Sequence, residues 1–136
     1  MATKVTLAAA EAVIAAAKAR AEELGQPMNI AVVDAGARLV AFARMDESIL
    51  ASIDISQKKA VTSMMMKLPT IDLAEVSQPG APLFGLEHVS GGLITFAGGV
   101  PLLSRGKPVG AIGVSAGTVE QDHDVATAGA DAFKSA

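Results

Sequence analysis

The run from Gly98 to Gly129, GGVPLLSRGKPVGAIGVSAGTVEQDHDVATAG, constrains the fold more than any other part of this chain. Apolar stretches broken by glycine, with a tight-turn signal at Arg105-Gly106-Lys107, predict two strands, Val100–Arg105 and Val109–Ser115, paired as a hairpin. Thr118 then opens a helix, because Thr118-x-x-Gln121 is a capping box in which each side chain satisfies a helix-start N–H. A hairpin feeding straight into a capped helix argues against the repeated βα units of a Rossmann sheet. It also crowds Ser115, Asp122 and His123 onto one strand-to-helix junction.

The rest of the chain is punctuated as clearly. Thr6 is an N-cap for a helix to about Leu24, with Leu7, Ala10, Val13, Ile14, Ala17, Ala21 and Leu24 as its apolar stripe. Gly25 and Pro27 stop it. Met28–Asp34 and Leu39–Met45 read as a second hairpin around Asp34-Ala35-Gly36. From Ser48 to Lys67 the period returns to helical, marked by Ile49, Ile53, Ala60, Val61, Met64 and Leu68, and the helix ends before Pro69. Pro69–Gly91 reads as short helices and loop, and Leu93–Ala97 as one more strand. The order of helix, two strands, helical middle, three strands and helix predicts one α+β domain over residues 1–136. Its expected core is a five-stranded antiparallel sheet with flanking helices.

Composition removes several function classes. Of 136 residues 51% are hydrophobic and mean hydropathy is +0.43, which suits subunit interfaces as well as a core, so a homo-oligomer is expected. No eighteen-residue window is free of charge, which argues against a membrane span, and no signal peptide is indicated; the expected location is cytoplasmic. Absence of cysteine rules out disulfides, thiolate zinc sites and thiol nucleophiles. A net charge of −3 and the lack of Tyr and Trp leave no footprint for nucleic acid.

Few residues can carry chemistry. Gly113-Val114-Ser115-Ala116-Gly117 matches the G-x-S-x-G nucleophile elbow, with Asp122 and His123 following in hydrolase order. The elbow needs a parallel strand, whereas this strand closes an antiparallel hairpin, so the glycines serve close packing instead. The helix start could attract an anion, but Glu120, Asp122 and Asp124 already satisfy its dipole, repel a second anion and read as solvated acids. His88 and His123 are the only imidazoles, lack metal-ligand spacing, and are each a candidate haem-iron ligand or general base. Met64-Met65-Met66 points in three directions on a helix and cannot converge on one ion. Arg44 is placed to pair with Asp46 or to clamp a ligand carboxylate, Lys59 borders an apolar stripe, and Arg105 sits in the last hairpin turn.

Four motifs in order, AVVDAGARLVAFARMD (Ala31–Asp46), SIDISQKKAVT (Ser52–Thr62), GGVPL (Gly98–Leu102) and VGAIGVSAGTVEQDHDVA (Val109–Ala126), resemble the GlcG/HbpS-like family. That family of haem-binding or haem-degrading-type proteins also supplies the C-terminal domain of PduO-type cobalamin adenosyltransferases. The resemblance implies a profilin-like fold, assembly from dimers up to octamers, and haem as a possible cofactor. The matching positions are Arg44, Asp46, Lys59, Gly98, Gly99, Ser115, Gln121 and Asp122. Ser115-Ala116-Gly117 departs from the pattern, since relatives commonly follow the serine directly with glycine.

Three functions are therefore expected in competition. In the first, an oligomer binds haem or a related tetrapyrrole, with His123 or His88 on iron and Arg44, Lys59 or Arg105 on the propionates; Gly98, Gly99 and Ser115 line the site. In the second, a small tautomerase, decarboxylase or hydrolase acts on a carboxylated intermediate. There Asp122 or His123 moves the proton and Ser115 stabilises an oxyanion. In the third, the chain is a ligand-free interaction module.

Overall fold

The computed structural model describes residues 4–134. Helix α1 (Leu7–Leu24) is followed by strands β1 (Asn29–Asp34) and β2 (Leu39–Arg44), then by α2 (Ala51–Met66). A 3₁₀ turn at Thr70–Asp72, the short α3 (Leu73–Val76) and a second 3₁₀ turn at Leu86–His88 fill the middle. Strands β3 (Gly99–Ser104) and β4 (Lys107–Ser115) and helix α4 (Val119–Asp131) complete the chain. The strands form one antiparallel sheet in the order β2-β1-β4-β3, so β1 and β4 are central.

The element ends follow the capping chemistry. Thr6 Oγ1 accepts from Ala9 N at 3.1 Å, and Gly25 closes α1 in the left-handed region at φ 68°. At α4 both halves of the capping box form: Thr118 Oγ1 accepts from Gln121 N, and Gln121 Oε1 from Thr118 N.

The sheet has four strands, not the five expected. Leu93–Ala97 has strand-like composition but is irregular chain that bends at Phe96-Ala97, and two of its backbone groups are bonded to side chains outside the sheet. Ile94 N donates to Thr62 Oγ1, and Phe96 O accepts from Thr70 Oγ1. Once side chains satisfy these groups, nothing draws the segment onto the sheet edge.

The two faces of the sheet are covered differently. Helices α1 and α4 pack on one, where Ala10, Val13, Ala17 and Ala21 meet Ile30, Val32, Ile112, Val114 and Val125. The alanine stripe lets α1 approach closely, although Leu7, read as part of it, is exposed. Helix α2 lies on the other face and does not bury the stripe expected of it. Ile49, just before its first turn, is exposed, whereas Ser52, Ser56, Lys59, Thr62 and Ser63 are buried beside Ala60 and Met64. The reason lies underneath. A Cβ on Gly113 would overlap the Ser56 carbonyl oxygen and stand 2.5 Å from Ala60 N, and one on Gly99 would overlap the Lys59 carbonyl. Backbone-to-backbone contact of this kind admits only small side chains at the points of contact, Ser56 and Ala60. The hydroxyls bond back to the chain, as in Ser56 Oγ to Ile53 O (3.2 Å) and Ser63 Oγ to Leu68 O (2.8 Å).

Candidate functional site

Where β4 gives way to α4, Lys59 crosses from one layer to the other. Its side chain has no exposed surface, and Nζ donates to Asp122 Oδ2 at 2.8 Å and to Val114 O at 2.9 Å. Gly98, at φ 132°, makes room for it, because a Cβ there would stand 2.7 Å from Nζ. Asp122 Oδ1 accepts from Gly117 N at 2.9 Å, so this carboxylate occupies the helix start that an external anion would need. The Phe96 ring covers the ammonium, with its centroid 5.1 Å from Nζ. Desolvation pushes the Lys59 amine below its ordinary pKa and the Asp122 carboxyl above its own, while each partner's charge opposes the shift. Asp122, read as a solvated helix-start acid, is thus one half of a buried ion pair.

The three residues that the sequence crowds at this junction diverge in space. Ser115 Oγ donates to Ser52 Oγ at 2.9 Å on the α2 face. Asp122 turns to Lys59, and the neighbouring Asp124 bonds Arg20 through both carboxylate oxygens at 3.0 and 2.9 Å. His123 is half-buried, and its Nδ1 is enclosed without a hydrogen-bond partner. No serine–histidine–aspartate relay joins them.

Arg44 is exposed at the end of β2 and makes no ion pair with Asp46 among the described residues. It pairs in register with Asn29, whose neighbour on the other side is Ser115, so all three share the α2 face. Arg105 lies exposed at the hairpin tip, roughly 25 Å along β4 from Ser115. His88 stands on the 3₁₀ turn with its side chain 85% exposed and Nε2 4.0 Å from Glu87 Oε1.

Two concavities matter. A groove of about 610 Å³ runs between the β1–β2 turn and the C-terminal half of α2. Val61, Met64 and Met65 supply its apolar side, Arg38 and Lys67 its cations, and Ser90 part of its rim. Neither cation has an ion-pair partner among the described residues. A smaller cavity of about 210 Å³ lies beyond β3, walled by Ile71, Ala74, Phe96, Ala97, Val119 and Glu120. Arg38, Lys67 and Phe96 carry no local sequence pattern that separates them from ordinary surface residues. Lys59 and Asp122 are both legible as candidates, but their contact spans 63 positions and leaves no local trace.

The model of the family described as haem-degrading protein HbpS-like matches residues 5–131. A 15.0 kDa protein from the dhaT-dhaS intergenic region of Citrobacter freundii is 40% identical over 130 residues, 95% of this chain and 92% of that protein. The crystal structure of Klebsiella pneumoniae protein ORFY superposes with a TM-score of 0.94 at 37% identity, covering 98% of this chain and 92% of that one. The crystal structure of a PduOC:heme complex superposes with a TM-score of 0.87 at 38% identity, covering 93% of this chain and 92% of that one.

Proposed function

This chain belongs to the family of haem-degrading HbpS-like proteins, and from that premise we propose that it binds haem or a related tetrapyrrole in the groove beside α2. The observation that carries the reading is the groove itself. Haem needs an apolar slot, cations for two propionates and a donor for iron. Val61, Met64 and Met65 supply the first, and Arg38 and Lys67 the second. His88, two residues before the rim residue Ser90, presents an exposed imidazole for the third. At about 610 Å³ the groove falls within the roughly 300–1,000 Å³ of cofactor and ligand pockets. The likeness to the PduOC:heme complex supports the same ligand class.

The groove also reorders the candidates from sequence. Lys59 is committed to Asp122, and Arg105 lies at the far end of β4, so Arg38 and Lys67 take the propionate role. His123 lies one turn along α4 from Val119 and Glu120, beside a cavity too small for a porphyrin. Bound haem would be held and oriented by these side chains and would itself supply the redox and ligand-binding chemistry of its iron. Assembly into a homo-oligomer is part of the proposal, supported by exposed Leu50, Phe84, Ile49 and Leu7.

Hemin titration tests this. A shifted Soret band is expected at one equivalent per chain, altered by His88→Ala and unaltered by His123→Ala. The Arg38→Ala/Lys67→Ala pair should weaken binding about tenfold, or ~1.4 kcal/mol. An unchanged hemin spectrum overturns the reading, and sensitivity to His123 alone moves the site.

A further inference from the structure

The Lys59–Asp122 pair is not used by the haem reading, and packing alone explains it poorly. A buried ion pair is often no more stabilising than well-packed apolar residues of similar volume. Here the pair and a cavity share one bordering side chain. Phe96 covers the Lys59 ammonium and also walls the 210 Å³ space. Its backbone is anchored by Thr70, which donates to Phe96 O at 2.8 Å, but the residue is 41% exposed. Phe96 therefore borders both Nζ and the cavity, and its ring would have to swing aside for a ligand to reach the amine.

We propose that Lys59 is a concealed amine that captures small neutral aldehydes entering the Phe96 cavity, holding them as an imine. The inference does not rest on haem binding. The balance of the step fits the groups present. Asp122 takes a proton from the Lys59 ammonium, and the freed nitrogen lone pair forms a C–N bond to the carbonyl carbon. The carbonyl π electrons move to oxygen, which receives that proton from Asp122, giving a carbinolamine. Loss of its hydroxyl with a second nitrogen proton releases water and leaves a protonated imine. This product carries the same single positive charge as the ammonium, so the Asp122 carboxylate keeps its counter-ion and Phe96 keeps a cation beneath it. Burial that disfavours the charged amine increases the neutral fraction available for attack.

The walls define the ligand class. The cavity is smaller than the roughly 300 Å³ at which drug-sized pockets begin, so it suits a chain of a few carbons. Its lining is aliphatic or aromatic except for Glu120. That carboxylate, with Asp122 behind the lysine, repels oxo acids and leaves uncharged aldehydes as the favoured carbonyl compounds.

The test uses the intact protein, butanal and sodium cyanoborohydride at neutral pH, followed by peptide mapping by mass spectrometry. The reduced butyl adduct is expected on Lys59 at about three times or more its level on exposed Lys18 or Lys107. Phe96→Ala should speed labelling of Lys59 about tenfold by removing the cover. Asp122→Asn, checked for folding by circular dichroism, should lose most of it. 2-Oxobutanoate, with the same carbon count and a carboxylate, should label Lys59 far less than butanal. Labelling confined to exposed lysines in both wild type and Phe96→Ala overturns the proposal, and equal labelling by 2-oxobutanoate overturns the ligand class.

Discussion

The two faces of the sheet solve the same packing problem with different chemistry. On the α1/α4 face, branched side chains from β1 and β4 interdigitate with alanine and valine, and tolerance comes from side chains that can move. On the α2 face the centre of the sheet presents Gly99 and Gly113 beside Ala31, Val33 and Ala111, and at the two glycines the helix backbone rests almost directly on it. Serine, threonine and one lysine are buried there beside Ala60 and Met64, and their polar groups are held by specific bonds. An apolar interface can relax around a change. One built from backbone contact and paired polar groups has little room to do so, and the candidate chemistry is concentrated there.

The sharpest way to break this contrast is a matched pair of glycine substitutions. Gly113→Ala drives a methyl into the backbone of α2 and should cost about 4 kcal/mol or more, or prevent folding. Gly129→Ala, on the other face, meets the far end of a side chain, Ile112 Cδ1, at 2.5 Å, with Val13 O at 3.1 Å and Ala17 Cβ at 3.2 Å. It also gains about 1 kcal/mol of helix propensity, so its net cost should stay below about 2 kcal/mol. Urea denaturation measures both, and equal losses would remove the distinction between the faces.

The next effect concerns the ion pair. Lys59→Met alone leaves Asp122 buried without a counter-charge and should cost about 3–5 kcal/mol. Adding Asp122→Asn removes the stranded charge while keeping an acceptor for Gly117 N, and should recover at least about 2 kcal/mol. A double variant no more stable than the single one would show that the pair contributes through shape rather than charge.

Smaller effects sharpen the picture at the junction and at the surface. Ala116 has φ 121°, a region that side chains rarely adopt, at the position where the sequence departs from the serine–glycine pattern. Ala116→Gly relieves that strain and should stabilise by about 1 kcal/mol after glycine's entropy is counted; a loss of stability in urea would refute the strain. On the α1/α4 side, the bonds from Arg20 hold the Asp124 carboxyl below its ordinary value of 3.8. A lowered carboxyl pKa gives stability that is present above the unfolded value and lost as pH falls through the folded one. Asp124→Asn should therefore flatten the acid limb of stability below about pH 5, and an unaltered limb would show the pair to be inert.

Legibility in the sequence tracked how local each cause was. Thr6, Gly25 and the Thr118–Gln121 box act within a few residues, so the ends of α1 and the start of α4 were readable. Leu93–Ala97 was misread as a strand because its composition is right and its backbone partners, Thr62 and Thr70, lie far away in the chain. Helix α2 misled for a related reason. Its isoleucines carry the apolar period, but the glycines that dictate which face fits belong to β3 and β4. Ser115, Asp122 and His123 looked like one constellation because they are close in sequence. A strand end and a helix turn send them in three directions.

The main helices, the two hairpins and the four family motifs follow from short-range chemistry, which the order of residues carries. The missing fifth strand, the polar seam under α2, the Lys59–Asp122 contact and the groove of Arg38 and Lys67 do not. Each depends on which distant backbone or side chain arrives alongside. That is settled by the packing of layers, where the space left by a glycine and the need to satisfy every buried polar group outweigh local preference.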